Sequence, residues 1–546
     1  MSFLISPGVL VREIDLTTIV PAVATSIGAM AGEFAWGPAE EIVVVDTENS
    51  LRSTFGDPTS SNFKDWFSAA NFLSYTRNLK LVRVVGSGAK NASIILNSNG
   101  LLVAGAGVLV KNEVQYATTV FTDVFVAKYP GVYGNNIGIA WANTSTYNAV
   151  DSNGLHTWEF YNAFSSVPGT SEFNVVIYDA TGNITGTAGT VLETFPLVST
   201  VSTAKRYDGT SNYILNVLNT ESDWVWMGSV ANFLLASQDL DGVTFGGGAD
   251  GSAATDGNRQ AGYALFQDSE NVDINLVFQA GGSTVVGKWI IDNIGETRRD
   301  VVCFVSPALT DTVNVADNDS CLDNVITTRN AYGSSSYAVM DSAWKYQYDR
   351  YNDVYRWVPL NADIAGLCAR TDYTNDAWWS PAGLNRGNIK NVVKLSWNPS
   401  NTFRDELYKN GVNPVVVFPN QGPVLFGDKT LLTRPSAFDR INVRRLFIVL
   451  EKAISTASKY LLFEFNDEFT RALFVNMVDP FLRDVKGRRG LYDYKVVADE
   501  SNNTGEVIDR NEFVGDIYIK PARSINYIRL NFIAVRTSVS FEEVGG

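Results

Sequence analysis

Tyr355-Arg356-Trp357-Val358-Pro359, Ile364-Ala365-Gly366, Ala369-Arg370-Thr371-Asp372 and Trp378-Trp379-Ser380-Pro381-Ala382-Gly383 form the stretch on which the reading of this chain turns. It sits in an aromatic run that also holds Trp344, Tyr346, Tyr348, Tyr351 and Tyr373. Such density builds either a carbohydrate platform or the core and interface anchors of a β-rich assembly. Arg356 and Arg370, with Asp372 nearby, read as ion pairs, because no pair of carboxylates accompanies them. Working outward, the chain continues through Gly422-Pro423-Val424-Leu425-Phe426-Gly427-Asp428-Lys429-Thr430-Leu431 and Ile441-Asn442-Val443-Arg444-Arg445-Leu446. It then reaches Phe463-Glu464-Phe465-Asn466-Asp467 and a strand-rich tail. None of these segments carries catalytic chemistry.

At 546 residues the chain is long enough for roughly three or four domains. Its 45 % hydrophobic and 18 % charged residues describe a globular protein without long disorder. A net charge of −15 argues against nucleic-acid binding, which needs a clustered basic surface. Cys303, Cys321 and Cys368 have no metal-ligand spacing and read as buried thiols of a chain folded in a reducing compartment. The N-terminal stretch lacks the positive region of a secretory signal, and the apolar run Leu101 to Val110 is about half a membrane span. No membrane insertion is expected.

Local patterns predict a mixed α/β (α+β) multidomain fold. Val9 to Ile14 reads as a short extended segment, Ile42 to Val45 and Leu79 to Val85 as strands, and Asn62 to Tyr75 as a helix. The Gly/Ser/Asn stretch from Gly86 to Gly100 suits a crossing into an inserted, mainly β domain over 87–205. Residues 21–86 and 206–385 are expected to form a discontinuous middle α/β domain. Helices are predicted at Trp224 to Leu234 and Gly257 to Asp268, and strands at Val272 to Gln279 and Val301 to Val305. A C-terminal domain is expected over 386–546. Its amphipathic helix carries Val443, Leu446, Phe447, Leu450, Ile454 and Ala457 on one face. A second helix is predicted after an Asn466 cap, a further cap at Asp479-Pro480, and a C-cap at Gly487. Ile528, Leu530, Phe532 and Ala534 alternate with polar residues, and Ile517 to Lys520 is a candidate partner strand for them. Val539 and Phe541 extend the alternation.

No catalytic, cofactor-binding or metal residues are predicted. The only histidine, His156, has no second His, Cys cluster or acidic motif to make a site. Gly246-Gly247-Gly248-Ala249-Asp250-Gly251 matches G-x-G-x-x-G, but the loop-like residues after it favour a glycine-rich connection over a dinucleotide site. Asp317-Asn318-Asp319-Ser320 lacks the glycine and bidentate glutamate of a calcium loop. Charge is uneven: between Arg434 and Arg489, eleven Lys or Arg stand against seven acids.

The ordered segments quoted above resemble the tail sheath proteins of contractile-tailed bacteriophages (myoviruses). The resemblance implies a non-enzymatic subunit without cofactors. It implies polymerisation into a helical homopolymer of stacked six-fold rings around an inner tail tube, in a metastable extended state. Contraction then drives the tube through the host envelope for genome delivery. Implied partners are other copies of the chain, the tube protein, and baseplate and tail terminator proteins. Direct nucleic-acid contact is not implied. The implied location is the virion tail, after assembly in the host cytoplasm. In this reading residues 1–20 form an arm donated to a neighbour, and terminal strands complete the C-terminal sheath core by exchange. The candidates for that exchange are Val9, Val11, Ile14, Val539 and Phe541. Arg444, Arg445, Arg483, Lys486, Arg488 and Arg489 are candidates for contact with an acidic tube. The alternatives are a β-rich adhesin or glycan-binding tail protein, and the sheath of a bacterial contractile injection system.

Overall fold

Gly28-Ala29-Met30-Ala31-Gly32 is buried along its whole length and forms the strand Gly28–Gly32. A strand covered on both faces has no polar alternation, as in parallel sheets flanked by helices. Apart from Met30 its residues are small because neighbours approach closely: a Cβ on Gly28 would lie 2.4 Å from the Phe72 ring. In a computed structural model describing residues 20, 23–236, 242–526 and 528–529, this strand lies inside a seven-stranded sheet. The order is Val412–Asn413, Ala338–Asp341, Val302–Val305, Leu276–Phe278, Gly28–Gly32, Leu79–Arg83 and Ile42–Val45. All neighbours are parallel except Ile42–Val45, which runs antiparallel to Leu79–Arg83. Helices Phe63–Leu73, Asp256–Ala264, Thr284–Ile290, Asn318–Tyr332 and Asn361–Thr374 bring buried side chains to its core.

The chain divides into two compact units: 21–377 with 381–455, and 1–20 with 378–380 and 456–546. The first contains the seven-stranded sheet. Its last strand, Val412–Asn413, comes from beyond the expected break at 385/386, because backbone pairing with Ala338–Asp341 ties it to the middle domain.

The inserted domain is larger than the sequence pattern suggested. It consists of two antiparallel four-stranded sheets with a core of its own, including Phe125, Trp141, Ile177, Leu218 and Phe233. Val225–Met227 pairs with Phe125–Ala127, and Val243–Thr244 pairs with Ile137–Ala142. Both strands lie beyond the expected end at 205, and the region expected to be one helix at Trp224 to Leu234 is a strand followed by the short helix Val230–Leu234. Entry and exit are stitched together: Ser252 N donates to Ser87 O at 2.9 Å. A Cβ on Gly86 would lie 1.8 Å from Ser252 O, so only glycine permits the crossing. The glycines Gly246 to Gly251 serve the same seam. Gly247 packs on Ala106 and Gly107, Gly248 on Gly131, and Gly251 on Ser87 and Ala89. Thr255 and Asn258 then form the capping box of helix Asp256–Ala264.

The second unit holds helix Glu468–Gly487 and the antiparallel pair Leu491–Val497 and Asp516–Pro521. Asp467, one residue after the expected Asn466, is the N-cap, its side chain accepting from Thr470 N at 2.8 Å. Pro480 lies within this continuous helix, not at a new start. Gly487 is its last residue, and the left-handed conformation falls on Arg489, with φ 67°. Among the described residues Asp516–Pro521 pairs with Leu491–Val497. Val9, Val11, Ile14, Val539, Phe541 and most of the predicted tail strand lie outside the described residues.

Candidate functional site

Open α/β sheets bind ligands at the carboxyl ends of their strands, where the strand order reverses. Here the reversal lies between Gly28–Gly32 and Leu276–Phe278, and the protein's own side chains occupy it. Asp65 accepts from Glu33 N at 2.9 Å and from Gly281 N at 2.8 Å. Its carboxylate also stands 2.8 Å from Arg259, with both side chains largely buried. Glu33 lies on the other side of the same guanidinium at 3.9 Å. Neither the Asp65–Arg259 pair nor its place in the sheet was found from sequence, because the partners stand far apart in the chain and neither belongs to a motif.

The aromatic run does not make an open platform. Trp344 and Trp378 are buried, and Trp357 and Tyr346 are half-buried with the Lys394 amine 5.6 and 5.0 Å from their ring centres. Tyr348, Tyr355 and Tyr373 are the exposed members. His156 is exposed and stacked on Tyr161, with Nδ1 3.2 Å from Tyr147 O. All three cysteines are free and buried. Among the described residues no group of His, Cys, Asp or Glu is arranged to hold a metal ion.

The six basic candidates fall into two environments. Arg444 and Arg445 are only 6 % and 3 % exposed, within the first unit. Arg444 donates to Ser336 Oγ at 2.8 Å and to Tyr337 OH at 3.3 Å, stacked between the Tyr337 and Phe438 rings. Burial lowers its pKa. Arg445 grips Asp372 with two hydrogen bonds, 2.8 and 2.6 Å, and donates to Cys368 O and Thr25 O. In this subunit both are internal links. Helix Ile441–Ser458 turns them inward because they share the buried side with Val443 and Leu446.

Arg483, Lys486, Arg488 and Arg489 are exposed in the second unit, at the end of helix Glu468–Gly487 and just after it. Lys486 stands 3.0 Å from Asp493, Arg483 2.5 Å from Asp479, and Arg488 3.6 Å from Asp484. Arg488 and Arg489 lie 5.2 and 5.8 Å from the ring centres of Trp378 and Trp379. The face is therefore a mosaic of paired charges with Arg489 at its end. Cations here suit the helix C-terminus, whose carbonyls carry partial negative charge.

Beside this face lies the two-stranded sheet. Tyr494 and Ile519 oppose each other, as do Val496 and Ile517, and these side chains are half-buried. Tyr494 OH donates to Asp479 O at 3.2 Å, holding strand to helix. Lys495 opposes Tyr518 and Asp493 opposes Lys520 on the exposed face. Among the described residues each strand pairs only with the other. A two-stranded sheet is marginal alone, and its outer edges, unpaired among the described residues, can template further strands.

Residues 253–431 match the phage tail sheath protein central domain, and residues 433–534 match the phage tail sheath C-terminal domain. The chain is 35 % identical to the tail sheath protein of Enterobacteria phage T4, over 100 % of this chain and 99 % of that one. This chain belongs to the phage tail sheath protein family. A second sheath protein, from Vibrio phage KVP40, is 34 % identical over 100 % of both chains. The sheath fold is also that of an extracellular contractile injection system, PVC, whose sheath complex was solved in the contracted state. That structure matches over 100 % of both chains with TM-score 0.53 at 13 % identity. The sheath chain is thus a structural subunit of a phage tail and a component of the virion.

Proposed function

We propose that this sheath subunit polymerises around an inner tail tube in a metastable extended helix and contracts to drive the tube through the host envelope. The observation that carries the reading is the two-stranded sheet of the second unit. Its edges offer backbone hydrogen bonds to incoming strands, and strand addition is a general route to protein association. The termini are the donors in this reading: residues 1–20, with Val9, Val11 and Ile14, and the C-terminal arm with Val539 and Phe541. A mesh of exchanged strands lets subunits rotate against one another without losing connection. The inserted domain faces outward. Contraction draws on the difference in free energy between two states of the polymer, so no nucleotide site is required.

The exposed cations Arg483, Lys486, Arg488 and Arg489 serve the tube contact. Arg444 and Arg445 serve it only if the first unit rearranges on assembly. Baseplate and terminator proteins bound the polymer at its two ends, and assembly takes place in the host cytoplasm. A purely structural role is supported by the switch point of the main sheet, which Asp65 and Arg259 fill, and by the aromatic run, much of which is packed inside.

Negative-stain microscopy of the purified chain tests the reading. Striated tubes are expected, and removal of residues 1–15 or of Thr537 to Gly546 leaves a folded protein that makes none. A wild-type chain that stays a monodisperse monomer even in the presence of purified tubes would overturn the proposed polymerisation around the tube.

A further inference from the structure

We infer that Phe463 and Phe465 are apolar anchors on which a second copy of this chain seats beside the open edge of Asp516–Pro521. The inference rests on the strand-exchange reading and adds a side-chain site to it. Phe463 is 104 % exposed and Phe465 84 %, and Tyr460, Leu462 and Phe469 are also exposed. Contiguous large apolar residues held in water mark interaction sites, whereas isolated ones do not. Phe463 also adopts a left-handed backbone, φ 71°, which a bulky aromatic residue rarely takes.

The loop is fixed from behind by the other half of the same Phe463-Glu464-Phe465-Asn466-Asp467 segment. Asn466 Nδ2 donates to Glu512 O at 2.8 Å and to Asn503 Oδ1 at 3.1 Å, while its own Oδ1 accepts from Arg471 at 3.2 Å. Asp467 caps the following helix. The buried Asn503 side chain accepts from Val514 N through Oδ1 at 2.9 Å and donates from Nδ2 to Val514 O at 2.8 Å. Strand Asp516–Pro521 begins two residues later. The polar half of the segment thus ties the loop to the start of the open edge strand, and the aromatic half remains outside. Anchors held rigid before binding lose little entropy on binding.

The site's continuity with the strand edge selects a second copy as occupant. A strand entering from a neighbour's terminus brings alternating apolar residues, such as Leu530, Phe532 and Ala534, to this end of the sheet. A tube contact has to be released on contraction and suits screened charges, whereas a link between neighbours has to persist and suits apolar burial.

The full chain carrying Phe463→Ser and Phe465→Ser tests the inference, with self-assembly followed by sedimentation and microscopy in the absence of tube protein. The critical concentration is expected to rise at least about tenfold, with the monomer's melting temperature unchanged. In a second variant, p-benzoylphenylalanine replaces Phe465, and irradiation of assembled sheaths on tubes is expected to yield sheath–sheath dimers. Normal assembly of the serine variant, or cross-links to the tube protein alone, overturns the inference. Removal of Thr537 to Gly546 is run alongside. If that truncation blocks assembly while the serine variant assembles normally, only the anchor role fails; if both assemble normally, strand exchange at that terminus fails with it.

Discussion

The Lys345 ammonium lies 2.9 Å from the Asp363 carboxylate, and neither side chain has any solvent-accessible surface. Lys345 Nζ also donates to Lys390 O at 3.1 Å, and Tyr75 OH donates to the same carboxylate oxygen at 3.1 Å. The second oxygen, Asp363 Oδ2, has no hydrogen-bond partner among the described residues. Burial pushes the pKa of Asp363 up and that of Lys345 down. The pair thus joins strand Trp344–Asp349, helix Asn361–Thr374 and Tyr75 through an interaction whose desolvation cost is high.

Removing one partner leaves the other charge uncompensated, so Lys345→Met or Asp363→Leu alone is expected to destabilise the subunit by about 3–5 kcal/mol. The double variant is expected to lose less than the worse single one. Chemical denaturation of assembly-incompetent, truncated subunits measures all three. Additive losses would show that the two groups do not act as a pair.

Asp341 is buried and accepts from Ser306 Oγ at 2.5 Å and from Ala343 N at 3.2 Å. Burial pushes its pKa up to about 8. A carboxyl with a raised folded pKa holds its proton in the folded state after the unfolded chain has released it. Stability from this group is therefore complete below the unfolded pKa, near 4, and is lost as pH rises through about 8. Asp341→Asn is expected to flatten the decline of stability between those limits, whatever offset it adds at low pH. The offset itself is expected to be unfavourable: Ser306 Oγ already accepts from Asn361 N and Nδ2, so an asparagine NH2 facing it finds no free lone pair. Parallel pH profiles of wild type and variant would remove Asp341 as the titrating group.

The structure places the insert's seam at Ser87 and Ser252, so replacing 88–251 by a short Gly/Ser linker is expected to keep a cooperative melt. The same replacement ending at 203 strands Val225–Met227 and Val243–Thr244 without the partners they pair with, and aggregation is expected. Trp36 packs on Tyr129, Tyr133 and Trp224 of the insert, so Trp36→Ser accompanies both deletions to avoid exposing the ring. Equal solubility of the two deletions would contradict this seam.

Strongly periodic elements were legible: helix Phe63–Leu73, helix Ile441–Ser458 and strand Val302–Val305 lie where apolar spacing put them. What periodicity missed was decided by pairing. Trp224 to Leu234 is apolar enough for a helix, yet its first residues complete a sheet with Phe125–Ala127, a partner some hundred residues away that no local pattern reveals. Pro480 shows the reverse error. A proline at a turn-like Asp-Pro step is accommodated in the second half of a long helix because surrounding packing outweighs one missing hydrogen bond. Among the basic candidates, sequence supplied the charges but not the facing. Arg444 and Arg445 are adjacent, and both are drawn inside by acceptors, Ser336 and Asp372, that lie far away in the chain.

The exposed end of helix Glu468–Gly487 permits the sharpest test of tube recognition. Lys486, Arg488 and Arg489 are exposed, and the first two stand beside Asp493 and Asp484. Exposed pairs of this kind contribute little, so reversing all three residues to glutamate is expected to lower the monomer's melting temperature only slightly, through repulsion by Asp484 and Asp493 and loss of cations from the helix C-terminus. It also turns a charge mosaic into a strongly acidic face opposite Asp484 and Asp493. Decoration of purified tubes by the triple variant is expected to fail, while wild-type decoration weakens as salt is raised, since exposed charges are screened over about 8–10 Å at physiological ionic strength. Tube-free self-assembly separates this face from the Phe463 and Phe465 site: it should survive charge reversal, whereas removing the aromatic anchors raises its critical concentration at least about tenfold. Normal decoration by the triple variant at low salt would move the tube contact to another face of the subunit.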